Sequence, residues 1–447
     1  MKKNLFRNAI CFSVPLFFAA CSDETTDDNG LDNQPQNNVD YCNSITENWK
    51  VFPRVSAPIP LELTANEQSA VNQSNAFANK LLCKLLKNDT NVVISPVSMQ
   101  ICLGMVLNGL SNANMESSKQ VLGLGNLSLN ELNSLNKKIS ASLNSNLDPS
   151  SYFETQNSIW SNFVPLKQSY VNTISDYYKA SISNVDFNAD NTEDIINAWG
   201  SEATKGMIPR MVEKVDIVGH DILLANACYF KADWKRKFQS AMPSVFYDEN
   251  YSEISSNAYA MVIEETDDIA YEINDSYEAV RLPYGNGAFY MDVVMPLKKT
   301  CAELVGNFDW SALKPSKDLD STVFMGYKIP IRMNLYMPKF EANNKHNLKK
   351  TLEEMGMSGL YTPLEQMNGS LKIDKIVQLS KIEVDEDGTK AAAITEAFGI
   401  KIGESAPTFS INFNRPFFYA IREAKTGLIL FMGSVVKPDI YDGKYGE

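Results

Sequence analysis

Apolar positions along the chain fall into two regimes. In the first, Phe77, Leu81, Leu82, Leu85 and Leu86 recur at the spacing of one helical face. Ser95-Pro96 then opens a second helix, with proline suited to its first turn, and Met99, Leu103, Val106, Leu107 and Leu110 line one side of it. Ile195-Ile196-Asn197-Ala198-Trp199 belongs to a further helix, which Lys205-Gly206 ends. From about residue 222 the pattern reads mostly as strands: 222–230, 279–282, 288–295 and 335–337. A late helix is expected over 346–355, stopped by Gly356. Helices first and strands after is the α+β pattern, and no internal repeat interrupts it.

The most informative stretch lies near the C-terminus. Gly388, Thr389, Lys390, Ala391, Ala392, Ala393, Ile394 and Thr395 follow an acidic lead, Glu383 to Asp387. As a strand, the segment carries Thr389, Ala391, Ala393, Thr395, Ala397 and Gly399 on one face. The other face carries Lys390, Ala392, Ile394, Glu396, Phe398 and Ile400, with both charges. The small face fits a packed sheet without crowding it, and the charged face stays in water. Its glycine and alanine content makes it a poor strand by itself. Such a segment suits a loop that becomes a strand.

Composition narrows the function classes. The chain has 447 residues, 44% hydrophobic and 21% charged, ordinary values for a protein with a real core. The net charge of −13 argues against a nucleic-acid partner. His220 and His346 are the two histidines, too few for histidine catalysis or a histidine metal site. There is no Gly-x-Ser-x-Gly elbow, no His-Glu-x-x-His and no glycine-rich phosphate loop. Ser95 and Ser98 are read as helix-start packing rather than as nucleophiles. Asp385-Glu386-Asp387 is read as a solvated acidic approach to the loop rather than as a cation site. Neither a cofactor, a metal site nor an enzymatic activity is expected.

The first 20 residues stand apart. Lys2, Lys3 and Arg7 precede an apolar run to Phe18, too short to span a membrane and suited to a secretory signal. Phe18-Ala19-Ala20-Cys21 resembles a bacterial lipoprotein cleavage site, which makes Cys21 the lipidated first residue; an ordinary signal peptide cut nearby is the alternative. Residues 21–65 read as an acidic tether with too few apolar residues to fold. Ser22-Asp23-Glu24 resembles the surface-export signals of Bacteroidetes-type lipoproteins, although a solvated linker explains the composition equally well. The expected location is therefore outside the cytoplasm, lipid-anchored at the outer membrane and cell surface, with lipid as the sole membrane contact. Of the cysteines, Cys83, Cys102 and Cys228 sit in apolar segments and are expected as buried free thiols; no disulfide framework is expected.

Several motifs, in order, carry a resemblance to the serpin family. Gly388-Thr389 followed by Ala391-Ala392-Ala393 resembles the family's reactive-loop hinge. Ile411-Asn412-Phe413-Asn414-Arg415-Pro416-Phe417-Phe418-Tyr419-Ala420-Ile421 resembles its C-terminal signature. Asn91 to Ser98, Asn197-Ala198-Trp199 with Thr204 to Ile208, Asn226 to Lys231 with Trp234, Leu282-Pro283-Tyr284, Met337-Pro338-Lys339-Phe340 and Phe431-Met432-Gly433 complete the series. The match runs from 66 to 438, leaving 439–447 as a tail.

The resemblance implies helices packed on a large central mixed or antiparallel sheet, smaller sheets and an exposed reactive loop over 388–410. It implies a monomeric protease inhibitor consumed as a suicide substrate. The target, a serine protease or in second place a cysteine protease, cuts the loop and forms an acyl-enzyme. The freed loop inserts into the central sheet, and the stored strain of a metastable fold drives the trap. No proline lies between Gly388 and Ala406 to block pairing. Lys390 replaces an acidic residue common at that position, and Ile394 a small one; both point outward. The resemblance also implies a shutter of Ser95, Ser98, Asn226 and Gln378, with Gln378 where many members carry histidine. Counting Thr389 as the first residue, the fourteenth is Ile402, giving Ile402-Gly403 as the reactive bond and an elastase- or subtilisin-like target. Lys401-Ile402 is the alternative and suits a trypsin-like enzyme. The segment from Thr389 to Pro416 is also longer than in well-known relatives. A non-inhibitory serpin fold that binds partners at the surface is the second function class; its members carry bulky, charged or proline residues on the inward hinge face, and here that face is small.

Overall fold

The computed structural model describes residues 57–145, 151–317, 322–324, 327–329, 331–373, 376–389 and 408–442, all within the compact unit Pro53–Glu447. Helix α1 (Ala65–Leu85) starts at a reciprocal cap: the Glu67 backbone N–H donates to the Thr64 hydroxyl and the Thr64 N–H to the Glu67 carboxylate. It buries Phe77, Leu81 and Leu82. Helix α2 (Pro96–Leu107) is capped by the Ser95 hydroxyl, which accepts from the Ser98 N–H at 3.3 Å. The single apolar stripe expected for α2 understates it: every residue except Cys102 is buried, so α2 is a core helix on all sides. Then follow α3 (Asn112–Val121), α4 (Leu129–Ser145), α5 (Gln168–Tyr178) and α6 (Thr192–Ala203). Lys205 and Gly206 both have positive φ and terminate α6 as expected. Short helices α7 (Lys214–Ile217) and α8 (Cys301–Val305) come next.

The late helix is shorter than the sequence pattern indicates. Strand β13 (Phe340–Asn347) takes His346 and Asn347, which pair with Gln378 and Val377 of β14 (Val377–Val384). Only Lys349–Glu354 forms α9. The ladder outcompetes the local helical spacing, and Gly356, at φ 97°, closes the helix.

Three main sheets follow from the pairing. The first has the order β13-β14-β15-β4-β2-β3, adding β15 (Gly388–Thr389), β4 (Ile222–Asp233), β2 (Ser151–Ser161) and β3 (Ser181–Asn184). The second has the order β1-β18-β17-β9-β8-β7 and is antiparallel throughout, from β1 (Val92–Ile94), β18 (Ile429–Val435), β17 (Phe417–Glu423), β9 (Phe289–Pro296), β8 (Tyr277–Pro283) and β7 (Ala270–Ile273). Strands β9, β17 and β18 are buried at every position, so this sheet is covered on both faces. The third joins β16 (Thr408–Asn412), β12 (Arg332–Pro338), β6 (Glu253–Thr266) and β5 (Ser240–Tyr247). A ribbon of β10 (Thr322–Phe324) and β11 (Tyr327–Ile329) stands apart. Helix α6 packs on the outer face of the first sheet over a small core that includes Trp160, Phe187, Ile196 and Ala227.

Candidate insertion site in the first sheet

The first sheet is incomplete in a specific place. One edge of β4 pairs with β2 along its full length, from Ala232 opposite Ser151 to Ile222 opposite Ser161. The other edge pairs only with Gly388 and Thr389, opposite Asp233 and Ala232. Likewise β14 pairs with β13 from end to end, and on its other edge only Val384 meets Thr389. Among the described residues no ladder joins β4 to β14 below that point. At the lower end a cavity of about 60 Å³ lies between the two strands, lined by Leu224, Asn226, Ile376 and Leu379, with Cys102 of α2 on one side and Ile217 of α7 on another.

The inward faces of the two strands agree in their upper halves. On β14 Val384, Ile382, Ser380 and Gln378 are buried and the alternate positions Glu383, Lys381 and Leu379 are more open. On β4 Ala232 and Phe230 are buried on the same side, whereas lower down Cys228, Asn226 and Leu224 are partly exposed and Tyr229, Ala227 and Ala225, on the opposite face, are buried. Strand β14 thus shows period-two burial with one face on the main core, and the lower half of β4 is covered on its other face by the small core under α6.

The upper end holds the start of the hinge tightly. Gly388 approaches β4 so closely that a Cβ there would lie 2.1 Å from the Ala232 carbonyl oxygen, which only glycine tolerates. Thr389 is buried, and its hydroxyl lies 2.8 Å from that of Tyr284. Trp234 stacks on Tyr284 with ring centroids 4.4 Å apart. Its backbone N–H donates to the Asp387 carbonyl at 2.7 Å and its indole N–H to the Asp385 carbonyl at 2.9 Å.

The acidic lead is not the solvated approach expected from its composition. Glu386 is buried, hydrogen-bonded by Tyr259 and 3.5 Å from the Lys339 ammonium. Asp387 pairs with Lys237 at 2.7 Å. Asp385 accepts the backbone N–H groups of Asp387 and Gly388, each at 3.0 Å, which shapes the turn from β14 into β15. Burial pushes its carboxyl up to about 6; the two N–H donors and Lys339 oppose this rise, and Glu386 adds to it. The acids are interior because Trp234, Tyr259 and Lys339 arrive from three other segments, which a local reading of charge does not register.

Midway down, the four proposed shutter residues come together. The Gln378 amide donates to the Ser95 carbonyl at 2.8 Å and its carbonyl accepts the Ser95 N–H at 3.4 Å. The Ser95 hydroxyl donates to the Leu430 carbonyl at 2.7 Å. The Ser98 hydroxyl donates to the Asn226 side chain, whose amide in turn donates to Thr155 and Asn157 of β2. Strand β2 was not among the expected elements: Thr155, Gln156, Asn157 and Ser158 break its apolar alternation, yet Asn157 and Thr155 are partners in this network. Cys228, beside the Ser95 hydroxyl, has its thiol pushed up to about 12 by burial. Cys83, Cys102, Cys228 and Cys301 are all free thiols; Cys301 is buried, and Cys83, Cys102 and Cys228, though partly exposed as residues, pack against the core. Hinge residues Lys390, Ala391, Ala392, Ala393, Ile394 and Thr395, the bonds around Lys401, Ile402 and Gly403, and Cys21 lie outside the described residues.

A large sheet with an interrupted ladder, fed at its top by a glycine-threonine turn and pinned below by a serine-asparagine network, defines a fold class that known proteins share. The family model "Serpin (serine protease inhibitor)" matches residues 72–438. A serpin-like protein of Methanosarcina acetivorans is 27% identical over 84% of this chain and 88% of its own. Glia-derived nexin of Mus musculus is 29% identical over 78% of this chain and 88% of its own. The crystal structure of the thermophilic serpin tengpin in its native state superposes with a TM-score of 0.71 at 24% identity, covering 86% of this chain and 97% of that one. The chain belongs to the serpin family, whose members are in general protease inhibitors.

Proposed function

We propose that the chain is an inhibitory serpin that traps a protease by inserting its cleaved loop between β4 and β14. One relationship carries the reading. Continuing the antiparallel register of Thr389 opposite Ala232 and Val384 sets Ala391 between Phe230 and Ile382. The same register sets Ala393 between Cys228 and Ser380, Thr395 between Asn226 and Gln378, and Ala397 between Leu224 and Ile376. Residues directly opposite one another in a ladder point to the same side of the sheet. The small loop face therefore goes to the core and the face with Lys390 and Glu396 to solvent.

The chemistry follows from that geometry. The loop is attacked as a substrate, and the serine hydroxyl of the protease becomes acylated by the loop residue before the cut bond. The amine of the cut bond leaves as the new N-terminus of the following segment, which stays in the fold through β16, β17 and β18, and the segment from Thr389 onward is free to complete the sheet. New ladder hydrogen bonds and burial of the small face favour insertion over return of the loop. The acylated enzyme moves with the loop end to the far end of the sheet. Ile402-Gly403 is the proposed bond, which directs the inhibitor at proteases with apolar pockets of the elastase or subtilisin type; Lys401-Ile402 serves trypsin-like ones.

The test is to mix the purified domain with a panel of serine proteases and look by denaturing electrophoresis for a covalent complex. Simple cleavage of the loop by every active member of the panel, with no complex, would refute inhibition and leave the binding class.

We further propose that lipid on Cys21 anchors the chain at the outer membrane, facing outward. Among the described residues no helix is long and apolar enough to cross a membrane. A Cys21→Ala variant of the full-length chain should leave the membrane fraction; retention there would reject the lipid anchor.

A further inference from the structure

Phe163 presents an unusual combination. It is a large aromatic side chain with 68% of its surface exposed. Its backbone is left-handed, at φ 56°, a region that a bulky residue enters only at a cost. The loop that carries it is nevertheless fixed on both sides. The Ser161 hydroxyl donates to the Val164 carbonyl and accepts the Val164 N–H. The Asn162 N–H donates to the Asp221 carbonyl, and its side chain accepts the Phe187 N–H. Past the aromatic, the Asn368 amide binds the Pro165 carbonyl, and the Lys167 N–H donates to the Met367 carbonyl. An exposed ring on a rigid, strained mount has already met the ordering cost of a contact before any partner arrives.

Its place in the sheet identifies the partner. Register continued from Thr389 opposite Ala232 brings residue 399 opposite Ile222, where β4 begins. Ile402, three residues farther, then extends about 10 Å beyond the end of the sheet. Ser161 of β2 is the ladder partner of Ile222, and Phe163 lies two residues past it. Phe163 is displaced sideways from the loop end by two strand spacings, again about 10 Å. A protease of about 200 residues has a radius of gyration near 16 Å. Phe163 therefore lies within the span of an enzyme bonded through Ile402.

We propose that Phe163 is an anchor for the trapped protease: it docks on an apolar patch of the acylated enzyme after insertion and holds it at this pole. This rests on the inhibitory reading above. The contact forms only after the loop has travelled, so it acts on the lifetime of the complex and not on its formation.

The experiment compares wild type, Phe163→Ala, Phe163→Gly and Phe163→Tyr against a serine protease of the panel. The glycine variant relieves the backbone, so one aromatic-free form keeps its fold. Rates of covalent complex formation should agree within about two-fold across all four. Active protease should be regained about ten-fold faster from the alanine and glycine complexes, with tyrosine restoring the wild-type lifetime. Equal lifetimes overturn the anchor while leaving inhibition standing. Absence of a covalent complex with wild type overturns the inhibitory reading and the anchor with it. A concentration-dependent dimer of the free wild type, lost in Phe163→Ala on sedimentation, would assign the ring to self-association and also overturn the proposal.

Discussion

The Thr389 and Tyr284 hydroxyls lie 2.8 Å apart, both side chains buried beneath the top of the first sheet. The first inward residue of the hinge already occupies an interior position with its polar atom satisfied, and the space for the next one is lined by buried Phe230 of β4 and Ile382 of β14. Thr389→Arg places a long charged side chain where nothing pairs it, at a cost of several kcal/mol. Ala391→Arg meets the same difficulty opposite Phe230 and Ile382. Both should turn the protein from inhibitor into substrate, raising the number of inhibitor molecules consumed per protease about ten-fold or more, while Ala392→Arg, on the outward face, should change it little. Titration of protease activity with densitometry of cleaved and complexed bands measures this ratio; equal loss in all three variants would sink the two-face argument.

The pH dependence of the hinge turn has a definite sign. Asp385 is shifted up from its ordinary value of 3.8 to about 6, chiefly by burial. Its raised value means that the folded state favours the neutral carboxyl. The contribution to stability is fully present below about 4 and is lost as pH rises through about 6. Asp385→Asn keeps an oxygen that accepts the Asp387 and Gly388 N–H groups while removing the charge. The variant should be more stable than wild type at pH 7.5, by about 1–3 kcal/mol, and the difference should vanish near pH 4. Thermal unfolding of the two proteins across that range reads it out, and a variant less stable at pH 7.5 would show that the carboxylate's hydrogen bonds outweigh its burial.

Completion of the sheet should stabilise the cut protein. A nick within 398–405 frees about ten residues to fill both open ladder edges, each hydrogen bond contributing about 1 kcal/mol net. The unfolding midpoint should rise by roughly 10 °C or more. A clean nick that leaves the midpoint unchanged or lower points to the non-inhibitory class.

The legible parts of this fold and site are those where local pattern and final environment agree. Ser95-Pro96 announces α2 because the serine cap and the proline act within one turn, and Gly388 to Thr395 shows its two faces because strand alternation needs no partner to be read. The turn before it is different. Asp385 and Glu386 look like solvent-facing acids until Trp234, Tyr259 and Lys339 close over them from distant segments. Strand β2 is hidden for a related reason: Thr155 and Asn157 are polar since they bind Asn226 and the Tyr178 carbonyl inside the sheet, so a central strand loses its apolar alternation. His346 reads as helical by its neighbours and is a strand residue by its pairing with Gln378. Long-range pairing decides each of these, and single-chain periodicity carries only short-range information.

The bond offered as bait can be separated by one substitution at each candidate position. Acylation requires the residue before the cut to fill the primary pocket of the protease, so pocket chemistry reports the register. If Ile402 is the main bait, Lys401→Ala should abolish inhibition of trypsin-like enzymes and spare elastase- or subtilisin-like ones, whereas Ile402→Asp should do the reverse. The expected effect in each case is a loss of about 100-fold in inhibition rate with the mismatched enzyme, since a charge in an apolar pocket or an absent charge in an acidic one costs at least 3 kcal/mol. Mass spectrometry of the C-terminal fragment, separated by denaturing the complex, identifies the bond directly. A fragment beginning at Gly403 supports cleavage after Ile402, and one beginning at Ile402 supports the trypsin-like alternative. A start beyond residue 406 would reject both: the acylated residue would then sit farther along the loop, leaving more slack between the end of β4 and the enzyme, and the protease would be held less tightly against the pole.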